Sequence, residues 1–131
     1  MSRVLLYTHL LLWWLNDDPR LPSSLVKELQ KDLHRVFISQ VSLWEMAVKV
    51  NLGRLSVDFI ALEQQVQAVG FQWLPISTEH LLEVAWLEMT VGHRDPFDRL
   101  LVAQSRGEPL QLFTLIENFR PMDHARDWSA K

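Results

Sequence analysis

Three observations predict an α/β fold of three layers, with helices covering both faces of a central parallel sheet of four to five strands. Short strand-like runs alternate with longer helix-like stretches, which is the pattern of βαβ units. The runs are nearly continuous in apolar residues, as strands buried on both faces are. The helix-like stretches stop at glycine or proline.

The elements follow in order. Arg3-Val4-Leu5-Leu6-Tyr7 reads as the first strand, followed by a helix from Leu10 to Leu15 and another from Ser23 to Asp32, with Pro19 to Pro22 as the turn between them. Arg35-Val36-Phe37-Ile38-Ser39 is the second strand; helices from Ser42 to Leu52 and from Val57 to Val69 follow, ending before Gly53 and Gly70. Phe71 to Pro75 is the third strand and Thr78 to Glu88 its helix. Pro96 to Arg106, stopped by Gly107 and Pro109, precedes a fourth strand from Leu110 to Thr114. The tail from Arg120 to Lys131 has only scattered apolar positions (Met122, Ala125, Trp128) and carries at most a fifth strand.

Composition sets the outer bounds. The 131 residues, 48% apolar and 22% charged, suit a single domain over 1–131 with one real core. Thirteen Lys and Arg against sixteen Asp and Glu give a net charge of -3, which excludes a general charge-driven nucleic-acid coat but leaves a local basic groove open. The absence of cysteine excludes a disulfide scaffold, a thiolate metal site and a Cys nucleophile. The apolar stretch from Val4 to Leu15 is broken by Thr8 and His9 and followed by Asn16-Asp17-Asp18-Pro19-Arg20, so it does not read as a signal peptide. The longest apolar run, Leu10 to Leu15, falls far short of the roughly 20 residues of a membrane span. The expectation is a soluble cytoplasmic protein with no membrane partner.

Ligands of open parallel sheets bind at the carboxyl ends of the strands, so chemistry is sought there. No phosphate-cradling glycine motif, serine elbow or histidine ligand spacing is present, and carboxylates remain. They cluster in Ser42-Leu43-Trp44-Glu45 and in His93-Arg94-Asp95-Pro96-Phe97-Asp98-Arg99. Each cluster has two readings. Ser42 and Glu45 have capping-box spacing, with Glu45 also four residues before Lys49; Asp95 with Pro96 and Asp98 forms a helix start. Alternatively, Glu45, Asp98 and Asp95 are catalytic.

Taken together in order, Leu5-Leu6-Tyr7-Thr8-His9 through Leu15, Ser39 through Lys49, Leu52-Gly53-Arg54-Leu55 and His93 through Gln104 resemble the PIN domain of VapC-type toxins. The resemblance runs from about Val4 to Phe119 and leaves 120–131 as a divergent tail. It implies an α/β/α nuclease domain in which clustered Asp and Glu hold Mg²⁺ or Mn²⁺ for RNA hydrolysis. It also implies a homodimer and a small antitoxin partner. Glu45 and Asp98 match the family's metal ligands, and Asp95 is an additional nearby carboxylate. Where the family carries Asp after the first and fourth strands, this sequence has Tyr7 and Ile116. A phenol is a poor ligand for a hard cation and an isoleucine is none, so the expectation is weak metal binding and impaired cleavage. A substitute would come from the neighbours Glu117, Thr8 or Thr114. In extended backbone, however, Glu117 points away from the side of residue 116. The alternative is a domain that binds RNA or an antitoxin without cutting.

The aromatic residues are placed by helical spacing. Trp13 and Trp14 lie about 100° apart on a helix, so one of them is expected to face a partner. Trp44 with Ala47 and Val48, and Phe97 with Leu100, Leu101 and Gln104, are expected to pack in the core.

Overall fold

The computed structural model describes residues 2–31, 34–89, 95–114 and 125–127. It contains β1 (Ser2–Leu6), α1 (Thr8–Leu15), α2 (Ser23–Leu29), β2 (His34–Ser39), α3 (Gln40–Asn51), α4 (Phe59–Val69), β3 (Gln72–Leu74), α5 (Thr78–Val84), α6 (Pro96–Gly107), β4 (Gln111–Thr114) and β5 (Ala125–Asp127). The five strands form one sheet in the order β3-β2-β1-β4-β5, and every neighbouring pair is parallel. The chain steps outward from β1 through β2 to β3, then returns to lay β4 and β5 on the other side of β1. The topological switch point, where such sheets open a crevice, therefore lies between β1 and β4.

Alternation along the strands sorts the side chains into two cores. Val4 and Leu6 of β1, with Ile38 and Phe113, face Leu10, Leu11, Leu25 and Leu62 of the α1, α2 and α4 layer. Leu5 and Tyr7, with Phe37 and Leu112, face Leu100, Leu101 and Ala103 of α6. The predicted three-layer arrangement is what is observed. The position after β1 consequently points at α6, and this sets the neighbours of Tyr7.

The helix ends are explained by local chemistry. Ser39 caps α3 by accepting from Val41 N at 2.9 Å, Asp58 caps α4, and Ser77 and His80 form a capping box on α5. Asp95 caps α6 with Pro96 at its first position. Gly70, in the left-handed conformation at φ 79°, closes α4.

Two expectations about helix ends need correction. α3 begins at Gln40 because Ser39 supplies the cap, so Ser42 and Glu45 do not form a capping box. α5 ends at Val84 rather than Glu88, the N–H groups of Ala85, Trp86 and Leu87 bonding three residues back, to the carbonyls of Leu82, Glu83 and Val84, in tightened turns. Trp13 and Trp14 both pack partly buried against the α1, α2 and α4 core. Among the described residues, no helix is long and apolar enough to cross a membrane.

Candidate functional site

Tyr7 leaves β1 in extended backbone, its N–H bonded to Phe113 O at 2.9 Å, and its phenol packs on the α6 face of the sheet beside the switch point. It is buried, and its hydroxyl donates to Asp98 Oδ1. Asp98 sits in the first turn of α6 and is buried as well. Burial pushes the Asp98 carboxyl up to about 7; the Tyr7 hydrogen bond pulls the other way, and the charges of Asp95 and Glu45 add to the rise. Burial and the neighbouring carboxylates hold the Tyr7 phenol far above its ordinary range, so it serves as a neutral donor.

Glu45 enters from α3 with only 1% exposure. Its Oε2 accepts from Lys49 Nζ at 2.9 Å, the expected helical ion pair. Its Oε1, although buried, has no hydrogen-bond partner and is the only such side-chain atom among the described residues. Asp95 Oδ1 accepts from the N–H groups of Phe97 (2.8 Å) and Asp98 (3.2 Å), which is its capping role. Thr8 does not reach a carboxylate; its hydroxyl donates to Ser42 Oγ at 2.9 Å.

The structure thus assembles Tyr7, Glu45, Asp95 and Asp98 at one end of the sheet, within electrostatic reach of one another. Thr114 ends β4 beside them, and Asp127 of β5 is its register partner. Ile116 and Glu117 lie outside the described residues.

The described residues do not fit a divalent cation. Mg²⁺ requires several oxygen ligands in near-octahedral array. Here one oxygen of Asp98 holds a phenol, one of Asp95 holds a helix start, and one of Glu45 holds an ammonium. Among the described residues, no group of three or more His, Asp and Glu is arranged to hold a metal.

Two features at the rim were not legible in the sequence. The His9 imidazole stacks on the Tyr7 ring with centroids 5.3 Å apart and planes at 10°. Burial, followed by the charge of Lys49, pulls its pKa below the ordinary range. Trp44, expected in the core, is instead 49% exposed, and Ala47 is exposed too. The buried line of α3 runs through Val41, Ser42, Glu45 and Met46, so the carboxylate takes the inward place that hydrophobic spacing assigns to the indole. Trp44 meets Phe97 edge to face at 4.6 Å. Phe97, Leu100, Leu101 and Gln104 do pack inward as expected, although Gln104 does so as part of a polar network.

The model of the PIN domain family matches residues 4–124. No curated protein matches the chain. Two of the solved structures that resemble it are the following. One is VapBC2 from Rickettsia felis bound to a DNA fragment from its promoter, with TM-score 0.68 and 14% identity, covering 97% of this chain and 99% of that one. The other is a toxin–antitoxin complex from Klebsiella pneumoniae, with TM-score 0.64 and 16% identity, covering 94% and 95%. At such identities the likeness is one of fold.

Proposed function

The chain belongs to the PIN domain family, and from that premise we propose that it is a VapC-type member of a toxin–antitoxin pair whose Mg²⁺- or Mn²⁺-dependent cleavage of RNA is strongly attenuated. It binds RNA and a small antitoxin. PIN domains are in general divalent-metal dependent. The observation that carries the attenuated reading is the Tyr7 hydroxyl on Asp98: a neutral phenol stands at the end of β1, where the family carries a carboxylate, and engages the carboxylate that matches a metal ligand. The unpartnered Glu45 Oε1 favours a second reading, an active metal-dependent ribonuclease, because a buried carboxylate oxygen without a donor is suited to a cation.

The partner reading is supported by surface. A groove of about 460 Å³ of mixed character, lined by Trp14, Val26, Val69 and Phe71 together with Gln30 and Lys31, runs beside α1 and α2 and suits an amphipathic antitoxin segment. Leu81, Leu82, Trp86 and Met89 are exposed on and just after α5, a surface suited to a second copy of the chain. Sedimentation then gives a mass above 15.4 kDa.

The test is cleavage of a structured RNA with Mn²⁺ or Mg²⁺ by the parent, Tyr7→Asp, Ile116→Asp, the double variant, and the double variant with Asp98→Asn. Ligands of one metal act as a unit, so the double variant recovers far more activity than either single change, and Asp98→Asn abolishes the gain. Strong metal-dependent cutting by the parent, lost in Glu45→Gln, establishes the second reading instead. No cutting by a folded, metal-binding double variant overturns the nuclease lineage for these residues.

A further inference from the structure

Trp44 and Phe97 each stand immediately before a residue of the carboxylate pocket, Trp44 before Glu45 on α3 and Phe97 before Asp98 on α6. Their contact, with centroids 4.6 Å apart and planes at 72°, closes the two helices against each other beside that pocket. An edge-to-face contact fixes the angle of the indole, while 49% of Trp44 stays in solvent. We propose that Trp44, braced by Phe97, is the stacking platform for an unpaired nucleobase of single-stranded RNA, held across the mouth of the carboxylate pocket without a metal ion. The proposal rests on the reading above that the ligand is RNA, and it names the form of RNA and the residue that receives it.

The surroundings fit a nucleotide better than an apolar protein surface. Lys49 Nζ, 2.9 Å from Glu45 and with its side chain 38% exposed, and the exposed His9, stacked on Tyr7, bring N–H donors to the rim for phosphate. Asp95, exposed at the start of α6, repels phosphate but accepts from the amino and imino groups of a base, so the base rather than the backbone lies over the carboxylates. A duplex hides its base faces, whereas a single strand presents them to aromatic side chains. A contact between copies of the chain has a more apolar surface available at Leu81, Leu82, Trp86 and Met89.

The measurement is fluorescence anisotropy of a labelled single-stranded RNA and of the same strand in a duplex, in EDTA, so that no cutting intervenes. Trp44→Ala weakens single-strand binding roughly tenfold or more, the scale of one lost base–aromatic stack, whereas Trp44→Phe retains most of it. Ile60→Ala, an exposed apolar residue of α4, leaves binding unchanged. A strand with a single abasic position loses as much with the parent as Trp44→Ala does with the intact strand, and loses nothing more with Trp44→Ala. Equal binding of the intact strand by the parent, Trp44→Ala and Trp44→Phe overturns the proposal. So does a fall in sedimenting mass in Trp44→Ala with RNA binding intact, which makes Trp44 a contact between copies. Failure of the parent to bind any RNA removes the RNA reading and this proposal together. Failure of the restored double variant to cut overturns only the cleavage argument, because binding in EDTA does not depend on it.

Discussion

Helix α6 carries two buried polar clusters, one at each end, and they are built on opposite principles. Toward its C-terminal end, Gln104 donates to Pro75 O (3.2 Å) and to His80 Nδ1 (3.2 Å) and accepts from the Ser39 hydroxyl. Ser77 N also donates to His80 Nδ1, at 3.0 Å, so that nitrogen is the acceptor and Nε2 carries the hydrogen that meets Glu108 at 2.7 Å. Every polar group there has a partner, and those in the interior are amide, hydroxyl and imidazole. At the N-terminal end the interior groups are acids: Asp98 with its titration displaced to about 7, and Glu45 with an oxygen that nothing satisfies. One cluster ties β2, β3 and α5 to α6; the other leaves bonding capacity unused, as a ligand site does.

The largest effect is expected where the network is complete. Gln104→Leu keeps the volume but leaves the Ser39 hydroxyl without its acceptor and Pro75 O without the amide donor. Chemical denaturation in metal-free buffer then shows a loss of about 2–4 kcal/mol. A loss below about 0.5 kcal/mol would mean that the cluster does not hold the layers together.

Tyr7→Phe is a smaller perturbation of the other cluster. It keeps the ring in the core and the face on which His9 stacks, and removes only the hydrogen given to Asp98. The expected cost is about 1–2 kcal/mol. Because that hydrogen bond lowers the Asp98 pKa, its removal moves the titration higher, which carboxyl carbon NMR reads directly. An unmoved titration reduces Tyr7 to a filler of space.

The pH dependence of stability separates the clusters further. Asp98 titrates near 7 in the folded chain and near its ordinary 3.8 when unfolded, so between those values the folded state binds more protons. Its contribution is therefore complete below about pH 4, declines as pH rises through about 7, and is flat above. Denaturation midpoints at several pH values, compared with those of Asp98→Asn, give this directly: the decline between pH 5 and pH 8 shrinks in the variant. An identical decline in both assigns it to other groups.

Much of this arrangement was legible because burial on both faces writes itself as continuous apolar letters, as in Val4-Leu5-Leu6 and Val36-Phe37-Ile38. The α6 start was legible from Asp95-Pro96, whose capping chemistry is local. α3 misled the reading because its letters give Trp44 to the core, whereas the fold buries Glu45 one position on. Hydrophobic periodicity cannot show an acid taking the inward place, since it ranks positions by apolar character and a buried charge runs against that ranking. Tyr7 was legible as the residue that follows β1 at the carboxyl edge of the sheet but not as a partner of Asp98, because that bond depends on which face of β1 packs on α6. The three residues of β5, two of them charged, carry no pattern of their own and are strand only through pairing with β4.

The smallest expected effect makes the sharpest contrast with Gln104. Glu45 is as deeply buried as Gln104, so burial alone ranks their replacements alike. Glu45→Gln removes the ion pair with Lys49, a half-exposed helical pair of the kind that contributes about 0.3–0.5 kcal/mol. It also relieves the desolvation of a charge with one unsatisfied oxygen, which acts in the opposite direction. The two nearly cancel, and stability changes by less than about 1 kcal/mol, with either sign, while Gln104→Leu costs several times more. Denaturation of both variants side by side settles it. A loss above about 2 kcal/mol in Glu45→Gln would place that side chain among the groups that hold the fold together. A change near zero leaves the chemistry of the site as the reason for burying an acid there.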